Sequence, residues 1–111
     1  LVAPEVTTDM LEGSYSTTFT ITAAATDASG IERVEFYLAR QGENYSSIKI
    51  DRTSPYSVDI DPSYYEPGEY FVEVIAVDIY WNTSTYHFGP ITLDRDRTLF
   101  KGGRATGVSY R

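Results

Sequence analysis

The stretch 68-GEYFVEVIAVDIYWN-82 decides the fold of this chain. A β-strand points successive side chains to opposite faces, so every second residue shares a face. One face of this stretch is wholly apolar and carries Tyr70, Val72, Val74 and Ala76. The other face is apolar except for Glu73. Such a strand must be covered on both sides, so we predict a central strand with neighbours in its own sheet and a second sheet packed above it.

Six other segments are predicted as strands around this one. Each combines alternating or β-forming side chains with flanking turn residues. They cover residues 2–9, 15–27, 31–40, 45–51, 54–61 and 82–93. Residues 12–14 are predicted as a turn, and Gly89-Pro90 as a kink or bulge in the last strand. Seven strands separated by Gly and Pro, without a helix, predict an all-β antiparallel sandwich.

The segment 31–40 is compatible with a helix by propensity, but its apolar residues Val34, Phe36 and Leu38 fit a period of two better than 3.6. In the strand order of a sandwich, the central strand lies between this segment and the last strand. Glu73 is then predicted to lie beside Arg33 or Glu35, with Arg33 as its cross-strand partner.

Composition bounds the class of protein. The chain has 111 residues, enough for one domain that folds without covalent cross-links. It has no cysteine, which excludes disulfides, thiolate metal sites and a cysteine nucleophile. The net charge of −7 argues against a nucleic-acid partner and favours divalent cations or neutral polymers. No apolar run approaches 18 residues, so no membrane insertion is predicted, and we expect the chain to be a piece of a longer protein.

The charge divides the chain into two predicted parts. Residues 1–93 carry 14 acidic and 4 basic side chains, whereas residues 94–111 carry 2 acidic and 5 basic ones. The second part is also rich in Gly and small polar residues, as linkers are. We therefore predict a sandwich domain over 1–93 and a basic, Gly-rich tail over 94–111 that serves as a linker or adds a further strand.

Several short motifs resemble the bacterial immunoglobulin-like domains that accompany secreted glycoside hydrolases, peptidases and surface proteins. The matching motifs are "ATDASG" at 25–30, "VEFY" at 34–37, "PYS" at 55–57 and "AVDIYWN" at 76–82. The resemblance covers about residues 4–93 and implies a seven-stranded antiparallel immunoglobulin-like sandwich. The family usually has Gly before the Asn that ends the last hairpin turn, and here Trp81 occupies that position.

The resemblance also implies a function. It indicates a non-catalytic, secreted or cell-surface accessory module that spaces or stabilises a neighbouring domain of the same polypeptide. The alternative is a binding module for carbohydrate or for a cell-surface protein. Fold alone does not separate the two.

Asp27, Asp78 and Asn82 form a candidate metal site. In such a sandwich the strand 15–27 and the central strand end at the same pole, so their terminal side chains lie close together there. Carboxylate, amide and backbone oxygens are the ligands that Ca²⁺ prefers. The alternative interpretation is that both aspartates cap local backbone N–H groups and bind no metal.

Tyr80 and Trp81, at the tip of the last hairpin turn, are candidate contacts for a sugar or a protein partner. Open aromatic faces stack on sugar rings and dominate protein interfaces. The alternative is that Trp81 folds back over the end of the sandwich. Tyr64 and Tyr65, in the loop at the opposite pole, are further candidates.

No catalytic constellation is recognisable. Asp59 and Asp61 share one strand face, and a glycosidase uses a pair of carboxylates. These two are predicted to face solvent rather than a pocket that would raise the pKa of one of them. His87 has no Cys or second His near it in the sequence and is interpreted as an ordinary strand residue. We therefore predict that the chain is not an enzyme.

Overall fold

The computed structural model describes residues 2–8 and 13–94, which form eight strands in two packed sheets. The strands are β1 (Glu5–Thr8), β2 (Gly13–Tyr15), β3 (Phe19–Thr26), β4 (Ile31–Arg40), β5 (Ser46–Asp51), β6 (Tyr56–Ile60), β7 (Gly68–Asp78) and β8 (Thr83–Leu93). A short 3-10 helix, Pro62–Tyr64, joins β6 to β7. The prediction of an all-β sandwich is confirmed.

The two sheets have unequal sizes. The smaller has the order β1-β3-β6 and the larger the order β2-β8-β7-β4-β5. As predicted, β7 lies in the middle of the larger sheet, between β4 and β8. β5, whose Lys49 is typical of an edge strand, is an edge of that sheet.

The strand count and one pairing differ from the prediction. Gly13 and Ser14, predicted as part of a turn, belong to β2, which pairs in parallel with β8. Three residues are too few to show an alternating pattern, and the pairing joins segments far apart in sequence. The number of strands is therefore eight rather than seven.

The apolar face of β7 forms the centre of the core. Val72, Val74 and Ala76 are completely inaccessible to solvent. Two groups of buried side chains surround them. The larger sheet adds Val34, Phe36, Leu38, Ile91 and Leu93, and the smaller sheet adds Val6, Ile21, Ala23, Tyr56, Val58 and Ile60. Burying one such side chain fully contributes about 1.5–3 kcal/mol, so the two sheets are held together mainly by this layer.

The predicted irregularity at Gly89 is a β-bulge. Between two register pairs, Tyr70 with Ile91 and Val72 with Phe88, one residue of β7 faces two residues of β8. Gly89 has φ 136°, and a Cβ on it would lie 2.9 Å from the carbonyl oxygen of Tyr70. The bulge therefore requires glycine at this position.

The predicted tail, 94–111, lies outside the described residues apart from Asp94, whose backbone N–H donates to the carbonyl of Tyr15 at 3.0 Å. Across residues 2–8 and 13–94, the fold offers no helix with the length and apolar character that crossing a bilayer would demand.

Candidate functional site

Three segments meet at one end of the sandwich, which we call the N-terminal pole. They are the beginning of β1, the β3–β4 turn (residues 27–30) and the β7–β8 turn (residues 79–82). Glu5 of β1 pairs with Thr26, directly before the β3–β4 turn. The N–H of Ile79 donates to the carbonyl of Gly30 at 3.2 Å, which joins the two turns. The predicted meeting of Asp27 and Asp78 at one pole follows from this topology.

Asp78 closes the β7–β8 turn. Its side chain is fully buried, and its Oδ1 accepts hydrogen bonds from the backbone N–H groups of Tyr80 at 2.8 Å and Asn82 at 2.9 Å. Its Oδ2 accepts from Nδ2 of Asn82 at 3.0 Å. Burial acts to raise the pKa of Asp78, but the hydrogen bonds from the side chain and backbone of Asn82 and from Tyr80 outweigh it and hold the pKa below its ordinary value. Asp78 is thus a charged cap that fixes the turn.

Asp27 makes the same kind of local contact. Its Oδ2 accepts from the backbone N–H of Ser29 at 3.0 Å and from the hydroxyl of Ser29. The capping interpretation of both aspartates is therefore what the hydrogen bonds support.

The three predicted Ca²⁺ ligands make other contacts in this arrangement. N–H donors approach both oxygens of Asp78, and the amide of Asn82 presents its nitrogen rather than its oxygen. Ca²⁺ takes six to eight oxygen ligands, which these side chains do not supply. Among residues 2–8 and 13–94, no group of three or more His, Cys, Asp or Glu side chains is placed to hold a metal. Ca²⁺ at Asp27, Asp78 and Asn82 stays a prediction of the sequence.

Trp81 has an unusual backbone conformation. Its φ is 71°, and the N–H of Trp81 donates to the carbonyl of Asp78 at 3.0 Å. Residues 79–81 form a three-residue hairpin loop, since the N–H of Asp78 donates to the carbonyl of Asn82 at 2.9 Å. Such a loop commonly ends with a residue in the left-handed region, which is why glycine is common there. An L-residue with a bulky side chain in that region costs roughly 1–2 kcal/mol. Trp81 therefore adopts the conformation that the usual glycine would adopt.

The indole of Trp81 is held over Arg33 but remains open to solvent. The guanidinium carbon of Arg33 lies 4.9 Å from the ring centroid, the geometry of a cation–π contact. The residue is 66% exposed. Trp81 thus leans toward β4 without being buried at the end of the sandwich.

Arg33 also pairs along its own strand. Its Nε lies 2.6 Å from Oε2 of Glu35, whose Oε1 accepts from the Tyr37 hydroxyl at 2.6 Å. Burial acts to raise the pKa of Glu35, and the hydrogen bonds from Tyr37 and Arg33 lower it below its ordinary value. The guanidinium beneath Trp81 is thereby fixed.

The predicted pairing of Glu73 with Arg33 is wrong. Glu73 lies opposite Tyr37 and His87, and its Oε2 is 2.7 Å from Nε2 of His87. Alternation fixed which face Glu73 occupies, but the register of β4 against β7 places Arg33 opposite Val77 instead.

Comparison with known proteins agrees with the sandwich fold. The family whose sequence pattern is described as "Bacterial Ig domain" matches residues 3–74. The chain belongs to the bacterial Ig domain family.

A solved structure is also similar to this bacterial Ig domain. It shows fibronectin(III)-like modules of CbhA from Clostridium thermocellum, with 26% sequence identity and a TM-score of 0.67. The match covers 87% of this chain and 50% of that chain, so the bacterial Ig domain spans half the length of its structural neighbour. None of the curated protein sequences matches. Modules of these kinds are generally non-catalytic and typically extracellular, and this domain fits a non-catalytic accessory role.

The other predicted contacts of this bacterial Ig domain lie at the opposite end, which we call the C-terminal pole. Asp61 caps the short 3-10 helix, and Tyr64 at its end is 81% exposed. Tyr65 is half-buried and makes an edge-to-face contact with Tyr70, with ring centroids 5.9 Å apart. Tyr64 and Tyr65 therefore do not form one surface with Tyr80 and Trp81, since the full length of β7 separates them.

Asp59 follows the prediction of a solvated face. Its Oδ1 accepts from the Thr20 hydroxyl at 2.6 Å across the β3–β6 pair, on the outside of the smaller sheet. Two further apolar residues are exposed at the N-terminal pole, Val2 at 79% and Ile79 at 49%, and the sequence does not mark them as surface residues. Their only signal is an aliphatic side chain next to a turn or a strand end, and that pattern is equally typical of core residues.

Proposed function

We propose that this bacterial Ig domain is a non-catalytic, extracellular accessory module that spaces or stabilises a neighbouring domain of a secreted or surface-attached multidomain protein. The observation that carries the proposal is the placement of the first and last strands. β1 begins at the N-terminal pole, where Glu5 pairs with Thr26. β8 ends at the C-terminal pole, where Leu93 pairs with Gly68.

This placement makes the sandwich a rigid link in a longer chain. The eleven residues of β7 span about 33 Å at roughly 3.3 Å per residue, which sets the separation of the two poles. The polypeptide therefore enters and leaves the domain at points separated by about the length of β7, as a spacer between domains requires. The packed core of the two sheets supports the stiffness of that link.

A second candidate function is a binding module for carbohydrate or for a cell-surface protein. The observation that favours it is Trp81, which is largely exposed and has its ring fixed over Arg33. A fixed aromatic ring with little conformational entropy to lose is a typical contact for either partner. Tyr80, 56% exposed, lies beside it.

One experiment separates the two candidates. In the full polypeptide that carries this domain, residues 2–94 are deleted or replaced by an unrelated sandwich with its chain ends at opposite poles. The stability and the activity or binding of the neighbouring domain are then measured. A spacer predicts that deletion impairs the neighbour and that replacement restores it. If replacement impairs the protein as much as deletion, the binding module is favoured, and an unaffected neighbour in both variants contradicts the proposal.

A further inference from the structure

Exposed apolar side chains are concentrated at the N-terminal pole. Over residues 2–8 and 13–94, seven large apolar or aromatic side chains are exposed. Four of the seven lie at this pole: Val2, Ile79, Tyr80 and Trp81. Single exposed apolar residues are ordinary on protein surfaces, but a contiguous group is typical of an interaction site.

The surface continues from the β7–β8 turn to the start of β1. Val2, Ala3 and Glu5 form one wall of an open cleft of about 350 Å³, and residues 26–28 form the other. The β3–β4 turn lies between this cleft and Ile79, which it binds through the carbonyl of Gly30. The cleft and the aromatic tip therefore lie at the same pole, on either side of the β3–β4 turn.

The tip is fixed in advance of any contact. Three hydrogen bonds to the buried carboxylate of Asp78 hold the turn, and Arg33 supports the indole of Trp81. A preorganised surface loses little conformational entropy when a partner binds. The left-handed backbone conformation of Trp81 costs conformational free energy, and the turn keeps it nevertheless.

The size of the surface indicates the class of partner. From their exposed fractions, the four side chains present on the order of 500 Å² of mostly apolar area. A free protein partner commonly needs about 800 Å² on each side. Contacts between domains of one chain bury about 600–1,500 Å² in total, and a short flexible linker between two domains gives an effective concentration near mM. The apolar area alone falls short of one side of a typical free complex and lies within the range for a tethered neighbour.

The direction of the chain indicates which neighbour. Residues before β1 reach the sandwich at this pole, whereas β8 leaves it at the other. We infer that the N-terminal pole, comprising Val2, Ile79, Tyr80 and Trp81 with the adjacent cleft, docks the domain that precedes this one in the same polypeptide, through an apolar surface of that domain. The inference rests on the proposed accessory function and adds a fixed contact to it.

The test measures the rotational tumbling of this domain within the full polypeptide. It compares the unsubstituted protein with variants that carry substitutions at the N-terminal pole. ¹⁵N relaxation of the β-strands reports whether the domain tumbles alone or with its neighbour. With docking, the rotational correlation time is expected to be at least about twofold longer than for an independent domain of this size, because a neighbour of similar volume moves with it. The double variant Tyr80→Ser with Trp81→Gly is expected to reduce it to the independent value. Glycine suits the φ of 71° at position 81, so the fold is retained.

The control is Tyr64→Ser at the C-terminal pole, which removes an aromatic residue that is more exposed than Tyr80 or Trp81 and is expected to leave the tumbling unchanged. Three results would overturn the inference: an unaltered correlation time in the double variant, independent tumbling of the unsubstituted domain, or a full polypeptide in which no domain precedes β1. Independent tumbling combined with impairment on deletion would leave the spacer function standing while removing the docking contact.

Discussion

At the scale of single residues, Asp78 and Trp81 show how a polar and an aromatic residue can be placed against their ordinary preferences. Asp78 is charged and fully buried because three N–H donors surround its carboxylate. Trp81 is largely exposed and has a positive φ because the three-residue turn requires a left-handed residue at its end. The sequence placed Asp78 at the end of the central strand and Trp81 in the turn that follows, but only the fold shows that one is buried and the other open.

The backbone cost at Trp81 predicts a difference between two substitutions. Trp81→Gly and Trp81→Val both remove the indole and its contact with Arg33, so they differ chiefly in their tolerance of φ 71°. We expect the Gly variant to be more stable than the Val variant by about 1–2 kcal/mol, because a β-branched residue is strongly disfavoured in the left-handed region. Urea unfolding followed by circular dichroism measures this, since both variants lack the single Trp of the chain. Equal stabilities would mean that the turn relaxes away from the left-handed conformation.

The lowered pKa of Asp78 predicts a pH-dependent contribution to stability. A carboxyl whose pKa is lower in the folded state stabilises the fold above its unfolded pKa, near 3.8, and loses that contribution as the pH falls through the folded value. Asp78→Asn is therefore expected to be less stable than the parent at pH 7, with the gap narrowing below about pH 4 as the parent carboxyl becomes protonated. Urea unfolding at several pH values between 7 and 2.5 measures the gap. Other carboxylates titrate in both proteins and cancel in the difference, so a constant gap would contradict the role given to Asp78.

At the scale of elements, the β7–β8 hairpin carries both the core and the aromatic tip. Alternation along β7 predicted its buried face correctly, because Tyr70, Val72, Val74 and Ala76 are all buried. The Gly-Pro pair at 89–90 predicted a kink or bulge, and the bulge lies there. Register was not predictable in the same way, since a strand can shift by two residues without changing which side chains face the core. That freedom explains why Glu73 lies opposite His87 rather than beside Arg33.

The bulge predicts a large effect of a single methyl group. In Gly89→Ala the new Cβ would lie 2.9 Å from both the Tyr70 carbonyl oxygen and Cδ1 of Phe71, in addition to the strain of a positive φ. We expect a loss of about 2–4 kcal/mol in the free energy of unfolding. The control is Gly42→Ala, where φ is 87° but no atom lies within 4 Å of the new Cβ, and we expect a loss of only about 1 kcal/mol. Urea unfolding of both variants gives the comparison, and equal losses would show that the bulge accommodates the methyl group.

At the scale of the whole molecule, the arrangement of the sheets decides where function can reside. The topology brings the start of β1 and two turns to one pole and sends the end of β8 to the other. This separation supports a module placed in series with other domains. It also divides the predicted aromatic contacts, because Tyr80 and Trp81 lie at one pole while Tyr64 and Tyr65 lie at the other. The exposed surface at the N-terminal pole is contributed by segments more than fifty residues apart in the sequence.

The sequence by itself determined the fold class, the central strand, the buried faces and the absence of a recognisable catalytic motif, because a period of two and turn residues are local properties. The tertiary structure alone decided the eighth strand, the register of β7 and the contact of Arg33 with Trp81, because these join residues distant in the chain. It also decided that the oxygens of Asp78 accept N–H groups, since a carboxylate in a sequence suits a cap and a cation equally well. Local chemistry set which side chains turn inward, and packing of the two sheets set which of them meet.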